Sequence, residues 1–251
     1  MHKFHRFNES SGYFLPKTLI ESFRYGAVNI HPSLLPKYRG ASPIQHAILN
    51  GDDETGVSII EVHPEKFDFG NILKQERLKL SSNHTYSVIS SKLVDLAMDM
   101  IDEVLKDLPG HRSRSIKQGS VDLAQIRAPK LSSTEKFITN DDWLDSTKIW
   151  NKYRTFEVLN CTFNPIPSKV SLFNLSPPQK LQYPMLAQTG DAFLSQDRKS
   201  LFIKSGTEFE WFSCKNLQLS GKKIVGANEF YNGYLLRINK KEDRLLSKIF
   251  G

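Results

Sequence analysis

An asparagine and a histidine lie two residues apart where a short apolar run ends, in the stretch GAVNIHPSLLPKYRGASPIQ, residues 26–45. Alternate residues of a strand share a face, so Asn29 and His31 are predicted to point the same way. Pro32 follows at once and would end the strand. An asparagine amide can donate a hydrogen bond to a developing oxyanion, and an imidazole can move a proton near neutral pH. The pair predicts a catalytic strand end, although a structural, hydrogen-bonded pair explains an N-x-H triplet equally well.

Two further features could complete such a site. The segment SLLPKYRGASP that follows His31 contains two prolines and a glycine around Lys37 and Arg39, which predicts a restrained loop. Later in the chain, KFDFGNIL places Asp68 between two phenylalanines and just before Gly70. A carboxylate there could orient or charge-stabilise the imidazole of His31. The alternative is an Asx turn that leads into a strand.

The elements that must position these residues alternate between helical and extended patterns. Apolar residues spaced four apart (Leu15, Leu19 and Phe23) predict a short helix that stops at Gly26, before the strand AVNIH. A second helix is predicted from Ser42-Pro43 to Gly51, and a long amphipathic helix over 84–108, ended by Pro109-Gly110. Two extended segments, TGVSIIEVH and DFGNILKQERLKL, lie between these two helices. The order predicts an α/β fold.

The second half of the chain has a different rhythm. A polar segment, HRSRSIKQGSVDLAQ, predicts a linker, and a helix is predicted over 139–157 with Asp141 or Asp142 near its start. Trp143, Trp150 and Tyr153 have helical spacing and are predicted to be core residues. From Cys161 on, short apolar runs are separated by Pro, Gly and Asn, which is typical of a small antiparallel barrel or sandwich.

Charge is distributed unevenly along the 251 residues. Residues 1–112 hold 13 basic and 14 acidic side chains, whereas the remainder holds 21 and 13. A basic half indicates a polyanionic partner, with nucleic acid as the first candidate, although a solvated basic surface is the alternative. Lys222-Lys223 and Lys240-Lys241 are candidate phosphate contacts on the same terms. The two cysteines predict reduced thiols, and no apolar run approaches the ~20 residues that span a bilayer.

The segment NIHPSLLPKYRGASPIQHAILNGDDETGVSIIEVHPEKFDFGNIL resembles the catalytic core of the folate-dependent formyltransferases. The pattern N-x-H-x-SLLP-x-x-RG, followed in order by G-x-x-x-TG and D-x-G, carries the resemblance. It extends over residues 26–108 without obvious gaps, and it is strong over 13–108 and weak beyond 130. HPEKFDFGNILKQE, EFYNGYL and the basic C-terminal half fit the mitochondrial branch that formylates methionyl-tRNA.

This resemblance implies a reaction and roles for particular residues. A formyl group would pass from the co-substrate 10-formyltetrahydrofolate to the amino group of methionyl-tRNA. Asn29 would bind the formyl oxygen, His31 would handle the proton, and Asp68 would hold and tune His31. The run from Ser33 through Leu34 and Leu35 to Pro36 would line the tetrahydrofolate site.

The resemblance also implies an architecture. We expect a truncated, Rossmann-like α/β catalytic domain with a mixed sheet over 1–112, a linker over 113–131, and a small β-rich, OB-like barrel over 132–251 that engages initiator tRNA. The protein is expected to be a monomer in the mitochondrial matrix, without a metal or a membrane contact.

The stretch before the N-x-H strand is shorter than the βαβ series that the family has there, since only 28 residues precede Asn29. This length predicts a shortened isoform, an alternative start or an incomplete gene model. Two other functions stay open on the sequence. One is a folate enzyme that acts on a small molecule, such as a formyltransferase or a hydrolase. The other is a non-catalytic protein that binds tRNA.

Overall fold

The structure is a computed structural model that describes residues 15–119, 127–181, 187–206, 208–236 and 249–251. Two compact units make up the chain. The first comprises Met1–Ser82 and Ser87–Leu131, and the second comprises Asn83–Tyr86 and Ser132–Gly251. The segment MHKFHRFNESSGYF, residues 1–14, which is half of the short stretch before Asn29, lies outside the described residues.

The sheet of the first unit has three strands in the order β1-β2-β3, which are Val28–His31, Glu54–Glu61 and Ile72–Lys79. Both pairings are antiparallel, with Asn29 opposite Ile60 and His31 opposite Ser58. β2 is buried from its second to its seventh residue, as expected for a strand with little polar face. An isolated parallel bridge joins Arg39 to Arg127. The predicted α/β class is confirmed.

Four helices accompany this sheet, namely α1 (Lys17–Glu21), α2 (Pro43–Leu49), α3 (Tyr86–Lys106) and α4 (Leu108–Ser113). In α2, Pro43 occupies the first turn, where its missing N–H costs no hydrogen bond. The helix ends before Gly51, which has a left-handed φ of 69°. α3 buries one stripe, made of Ile89, Leu93, Ala97, Met100, Ile101 and Val104.

Two predictions about these helices were wrong in detail. α1 is only five residues long, and its buried residue is Ile20, whereas Leu19 is 42% exposed. Pro109-Gly110 does not end the helical region, because both residues lie inside α4. The Asp107 carboxylate accepts a hydrogen bond from the Gly110 N–H and so caps a new helix, in whose first turn a proline is tolerated.

The described parts of the segment predicted as a linker are hydrogen-bonded into the first unit. Ile72 and Ile116 exchange two backbone hydrogen bonds of 2.8 and 2.9 Å. Further on, the Ala128 N–H donates to the Arg39 carbonyl at 2.8 Å, and the Ala128 carbonyl accepts from the Ser42 N–H at 3.0 Å. The side chain of Ala128 is buried beside Tyr38 and Ala47. This segment is therefore hydrogen-bonded to the loop that follows β1 and packs against it.

The second unit begins with two short 3-10 turns, Ser133–Lys136 and Asp142–Leu144, and then α5, Ser146–Phe156. The single helix predicted over 139–157 is thus divided, and Asp145, rather than Asp141 or Asp142, caps α5 by accepting from the Lys148 N–H at 3.0 Å. Trp143, Trp150 and Tyr153 are buried in the main apolar cluster, as predicted.

Seven antiparallel strands form the rest of the second unit. They are β4 (Leu159–Phe163), β5 (Ser168–Leu175), β6 (Gln179–Lys180), β7 (Ala192–Leu194), β8 (Leu201–Ser205), β9 (Glu210–Leu219) and β10 (Val225–Gly226). The main path runs β4-β5-β9-β8-β7, with β6 and β10 both on β9. A short helix α6 (Ala227–Phe230) continues into one π-helical turn, Tyr231–Leu235.

The described strands form an open path and not a closed barrel, but three residues at the end of the chain reach both of its outer sides. Thr162 of β4 exchanges two backbone hydrogen bonds with Gly251, of 2.7 and 3.1 Å. The N–H groups of Ile249 and Phe250 both donate at 3.1 Å to the carbonyl of Gly190, two residues before β7.

Candidate active site

His31 lies at the end of β1 with both ring nitrogens facing acceptors. The side chain is buried, with Nε2 2.9 Å from the carbonyl oxygen of Tyr38 and Nδ1 3.5 Å from Oδ1 of Asp68. A carbonyl oxygen only accepts, so Nε2 carries a hydrogen. Nδ1, the other ring nitrogen, faces the Asp68 carboxylate.

Asp68 brings the three predicted catalytic residues together. Its Oδ1 is 3.5 Å from both the Asn29 amide nitrogen and His31 Nδ1, and its Oδ2 accepts from the Gly40 N–H at 3.0 Å. The side chain is 13% exposed. All of these partners are far from Asp68 in sequence, so the carboxylate ties loops together rather than closing a local Asx turn.

The turn that presents Asp68 depends on an unusual backbone. Asp68 has a φ of 56°, a left-handed conformation that aspartate adopts more readily than most residues. Two residues later, a Cβ at Gly70 would stand 1.6 Å from the carbonyl oxygen of Glu61. The D-x-G spacing therefore has a steric reason, because only glycine lets the turn pass so close to β2.

The side chains of Arg39 and Gln118 donate hydrogen bonds to the backbone of this turn. Arg39 donates from Nε to the Asp68 carbonyl at 3.1 Å, and its guanidinium stacks 3.6 Å from the centre of the Phe69 ring. Gln118 donates from Nε2 to the carbonyls of Asp68 and Gly70, at 2.9 and 2.7 Å. Burial lowers the pKa of the Arg39 guanidinium, while the nearby Asp68 carboxylate opposes that shift.

Sequence reasoning singled out Arg39 only as part of a stiff loop and missed Gln118 altogether. Gln118 stands in a polar stretch without periodicity, and its partners are 48 to 79 residues away. The Tyr38 carbonyl and the Gly40 N–H were also missed, because backbone groups leave no mark in a residue pattern. The R-G pair after SLLP is the one signal that could have drawn attention to this loop.

The four residues predicted to contact folate divide into two kinds. Ser33 is buried and donates from its hydroxyl to the Lys37 carbonyl at 2.6 Å. Leu35 is also buried, packs with Ile60 and Ile72, and is followed by a cis peptide bond to Pro36. By contrast, Leu34 and Pro36 are only half-buried.

The loop over 33–36 is held by two polar side chains of the sheet. Ser58 Oγ accepts from the Leu35 N–H at 3.1 Å and donates to the Ser33 carbonyl at 2.6 Å, while Gln75 donates to the Leu35 carbonyl at 3.0 Å. Leu35 and Pro36 also line a cleft of about 460 Å³. Its remaining wall is made of Ile72, Leu73, Lys74, Gln75, Arg114 and residues 116–119.

Two kinds of site are absent from the part of the chain that the structure describes. No group of three or more His, Cys, Asp or Glu side chains there could hold a metal ion. None of the helices in the described ranges is long and apolar enough to cross a membrane.

Solved structures with a similar fold include formyltransferases. A variant of HypX from Aquifex aeolicus matches with a TM-score of 0.62 at 17% identity, over 86% of this chain and 36% of that one. HypX in complex with tetrahydrofolic acid matches with a TM-score of 0.58 at 16% identity, over 83% and 35%. An N-formyltransferase from Helicobacter canadensis, in complex with folinic acid and dTDP-3-aminofucose, gives 0.55 at 17% identity, over 80% and 70%.

Comparison with known sequences identifies the family more specifically than the comparison with solved structures. The formyl transferase family model matches residues 10–105. The human mitochondrial methionyl-tRNA formyltransferase is 31% identical over 236 residues, which cover 90% of this chain and 58% of that protein. The methionyl-tRNA formyltransferase of Coxiella burnetii is 32% identical over 228 residues, 89% of this chain and 68% of that protein. The chain thus spans less than two thirds of its mitochondrial relatives, and it belongs to the methionyl-tRNA formyltransferase family.

Proposed function

We propose that this chain transfers a formyl group from 10-formyltetrahydrofolate to the amino group of methionyl-tRNA, for translation initiation. The observation that carries the proposal is the convergence of Asn29, His31 and Asp68, with one carboxylate oxygen 3.5 Å from both the amide and the imidazole. An oxyanion donor, an imidazole and a carboxylate beside that imidazole are groups that suit acyl transfer to an amine.

Each side chain has a part in the proposed reaction. The amine nitrogen attacks the formyl carbon, the carbonyl electron pair moves onto oxygen, and the bond from that carbon to the folate nitrogen then breaks. The Asn29 amide has two donor hydrogens, so it can donate one toward Asp68 and the other to the developing oxyanion. His31 takes the proton that the amine loses and returns it to the leaving nitrogen. While His31 holds that proton, the Asp68 carboxylate and the Tyr38 carbonyl stabilise it.

The residues near the site fit the folate co-substrate in part. The cleft beside Leu35 and Pro36 has about 460 Å³, within the range that holds a drug-sized ligand, and its lining combines apolar and polar side chains. Because Ser33 and Leu35 are buried in the loop's own packing, we propose that the loop meets folate through the side chains of Leu34 and Pro36 and through its backbone. Calorimetric titration with tetrahydrofolate tests this role. Pro36→Ala should weaken binding, and unchanged affinity would contradict it.

Asn29→Ala and His31→Ala test the reacting centre. Loss of one oxyanion donor typically costs about 10²–10³ in rate, and we expect a comparable loss without the imidazole. The measurement is formyl transfer to methionyl-tRNA, with circular dichroism to verify folding. His63→Ala serves as the matched control, since the bond that the described part of the chain shows for the His63 ring is a local one, accepted from the Glu65 N–H. Near-normal turnover of either site variant would overturn the assignment.

The same assay separates the alternatives. Formylation of glycinamide ribonucleotide, or release of formate into water, in place of methionyl-tRNA formylation would favour a small-molecule enzyme. Binding of tRNA without any transfer would favour the non-catalytic alternative.

We further propose that residues 1–112 act as the catalytic domain and that residues 132–251 form an OB-like domain that binds initiator tRNA. Residues 113–131 would connect these two domains. The seven-strand sheet supports the OB-like domain, because residues 249–251 are hydrogen-bonded both to β4, at one end of the strand order, and to Gly190, just before β7 at the other end. Lys222 and Lys223 are exposed in the turn before β10, whereas Lys240 and Lys241 lie outside the described residues. Loss of Lys222 and Lys223 together should reduce the salt slope of tRNA affinity by about two. Lys180→Ala, at a lysine that is ion-paired with Glu208, is the control.

We also propose that the protein is a mitochondrial monomer. The names of the mitochondrial relatives support the location, although bacterial relatives are as similar in sequence. Fractionation of cells that express the gene product, with light scattering of the purified protein, tests both statements. A cytosolic pool alone or a stable dimer would contradict them.

A further inference from the structure

Gln118 uses its whole carboxamide on the turn that carries Asp68. Its Nε2 donates to the carbonyls of Asp68 and Gly70, which flank Phe69, at 2.9 and 2.7 Å. Its Oε1 accepts from Arg39, from Nε at 3.1 Å and also from Nη2. Among side chains, only a carboxamide offers two donors and an acceptor in one plane. Glutamate would lose both donors, and lysine or arginine would lose the acceptor.

The position of Gln118 is itself fixed by the backbone. Two residues earlier, Ile116 exchanges two hydrogen bonds with Ile72 at the start of β3. These bonds anchor the segment to the sheet that also carries Asn29 and His31 through β1 and β2. The Gln118 carboxamide is therefore held beside the turn by a segment that is itself hydrogen-bonded to β3.

We propose that Gln118 is a positioning residue of the formyl-transfer site, which sets the orientation of the Asp68 carboxylate by holding the carbonyl groups of Asp68 and Gly70. The kinetic consequences of this inference rest on the proposed function, whereas its consequences for the structure of the turn do not. In the described part of the chain, Gln118 makes no hydrogen bond to the side chains of Asn29, His31 or Asp68, so it acts through the carbonyls of the turn and through Arg39.

The physical reason is the strained turn. Left-handed backbone is less favourable than right-handed backbone for a non-glycine residue, so the contacts around Asp68 must hold its φ at 56°. Three donated hydrogen bonds hold the turn in this conformation, two to the Asp68 carbonyl and one to the Gly70 carbonyl. Two of the three come from Gln118. If the turn relaxed, the Cα–Cβ bond of Asp68 would rotate, and its carboxylate would leave the Gly40 N–H and His31 Nδ1.

Gln118→Leu removes all of these hydrogen bonds, and Lys92→Ala, at an exposed residue of α3 outside the cleft, is the control. A two-dimensional ¹H–¹⁵N spectrum of the full chain reports on the Gly40 amide, which donates to Asp68 Oδ2. We expect this resonance to move upfield in Gln118→Leu and to stay in place in Lys92→Ala. An unmoved Gly40 resonance in folded Gln118→Leu would overturn the proposal. This readout needs no substrate, so it stands apart from the proposed function.

Kinetics give the second readout. We expect kcat for methionyl-tRNA formylation to fall about tenfold or more in Gln118→Leu with the KM for methionyl-tRNA unchanged, as when the partner that orients a reacting group is lost. In Asp68→Asn, adding Gln118→Leu should cost no further single-turnover rate, because the residue it positions is already disabled. Independent, multiplying losses would overturn the proposal. An active wild type with an unaffected Gln118→Leu refutes this inference alone, whereas an inactive wild type refutes the proposed function.

A conservative variant keeps the test decisive if Gln118→Leu folds poorly. Gln118→Glu retains the length and the acceptor for Arg39 but donates to neither carbonyl. We expect it to fold and yet to shift the Gly40 resonance and lower kcat as Gln118→Leu would. Wild-type behaviour of Gln118→Glu would mean that only the Arg39 contact matters, and it would refute the positioning role.

Discussion

Asp142 offers a direct test of the electrostatics of the second unit. Its carboxylate is buried, and it accepts from Lys148 Nζ at 2.7 Å, from Lys152 Nζ at 2.5 Å and from the Thr139 N–H at 2.9 Å. Burial alone would raise the pKa of Asp142, but the hydrogen bonds from the two lysines and from Thr139 outweigh it and lower the pKa from 3.8 to about 2. The folded state thus favours the charged form.

The size of the effect follows from linkage. A pKa that is lowered on folding contributes stability above the unfolded pKa, and that stability is lost as the pH falls through the folded pKa. At about 1.4 kcal/mol per pH unit, the shift at Asp142 corresponds to about 2 kcal/mol at pH 7 and about 1 kcal/mol at pH 3. Asp142→Asn should therefore lower the free energy of unfolding by about 2 kcal/mol at pH 7, and the loss should halve by pH 3.

The assay is urea unfolding followed by tryptophan fluorescence. All three tryptophans, Trp143, Trp150 and Trp211, belong to the second unit, so the signal reports on that unit alone. Asp141→Asn removes the same charge from an exposed neighbour and should cost less than about 0.5 kcal/mol. A loss for Asp142→Asn that is equal at pH 7 and pH 3, or no larger than that of the control, would refute the reasoning.

Two other predictions concern packing. Gly40→Ala should destabilise the first unit by more than 1 kcal/mol, because Gly40 has a φ of 125° and a new Cβ would lie 2.5 Å from the Ala128 carbonyl oxygen; thermal unfolding by circular dichroism measures this. The thiols of Cys161 and Cys214 should react with a disulfide reagent only after unfolding, because burial raises both pKa values, that of Cys214 to about 12. Fast labelling of the native protein would contradict this.

Local patterns predicted most of the elements near the site. The strand that carries Asn29 and His31 and the helix that starts at Ser42-Pro43 were both found at the expected places. Their signals are local, since proline, glycine and apolar spacing act on the backbone within a few residues. The same local rules failed at Pro109-Gly110, where a cap from Asp107 turned an expected stop into a new start.

The long-range parts of the site could not be predicted in this way. Nothing near Gln118 in sequence indicates that it meets Asp68, because that contact depends on the bridge between Ile116 and Ile72. Asp142 was expected near a helix start, yet its partners Lys148 and Lys152 make it the centre of an ion-pair network instead. In both cases the polar residue has a role that only the folded chain assigns.

The bonds of residues 249–251 to β4 and to Gly190 have a consequence for how the second unit assembles. Thr162 and Gly251 are far apart along the chain, so their pairing closes a long loop and carries a large entropic cost. Contacts between residues that are far apart in sequence slow folding. Until they form, the outer edges of β4 and β7 present unpaired backbone groups that a second molecule can join. Refolding at high protein concentration therefore exposes this unit to strand exchange between copies, and dilution is the condition under which each chain closes on itself.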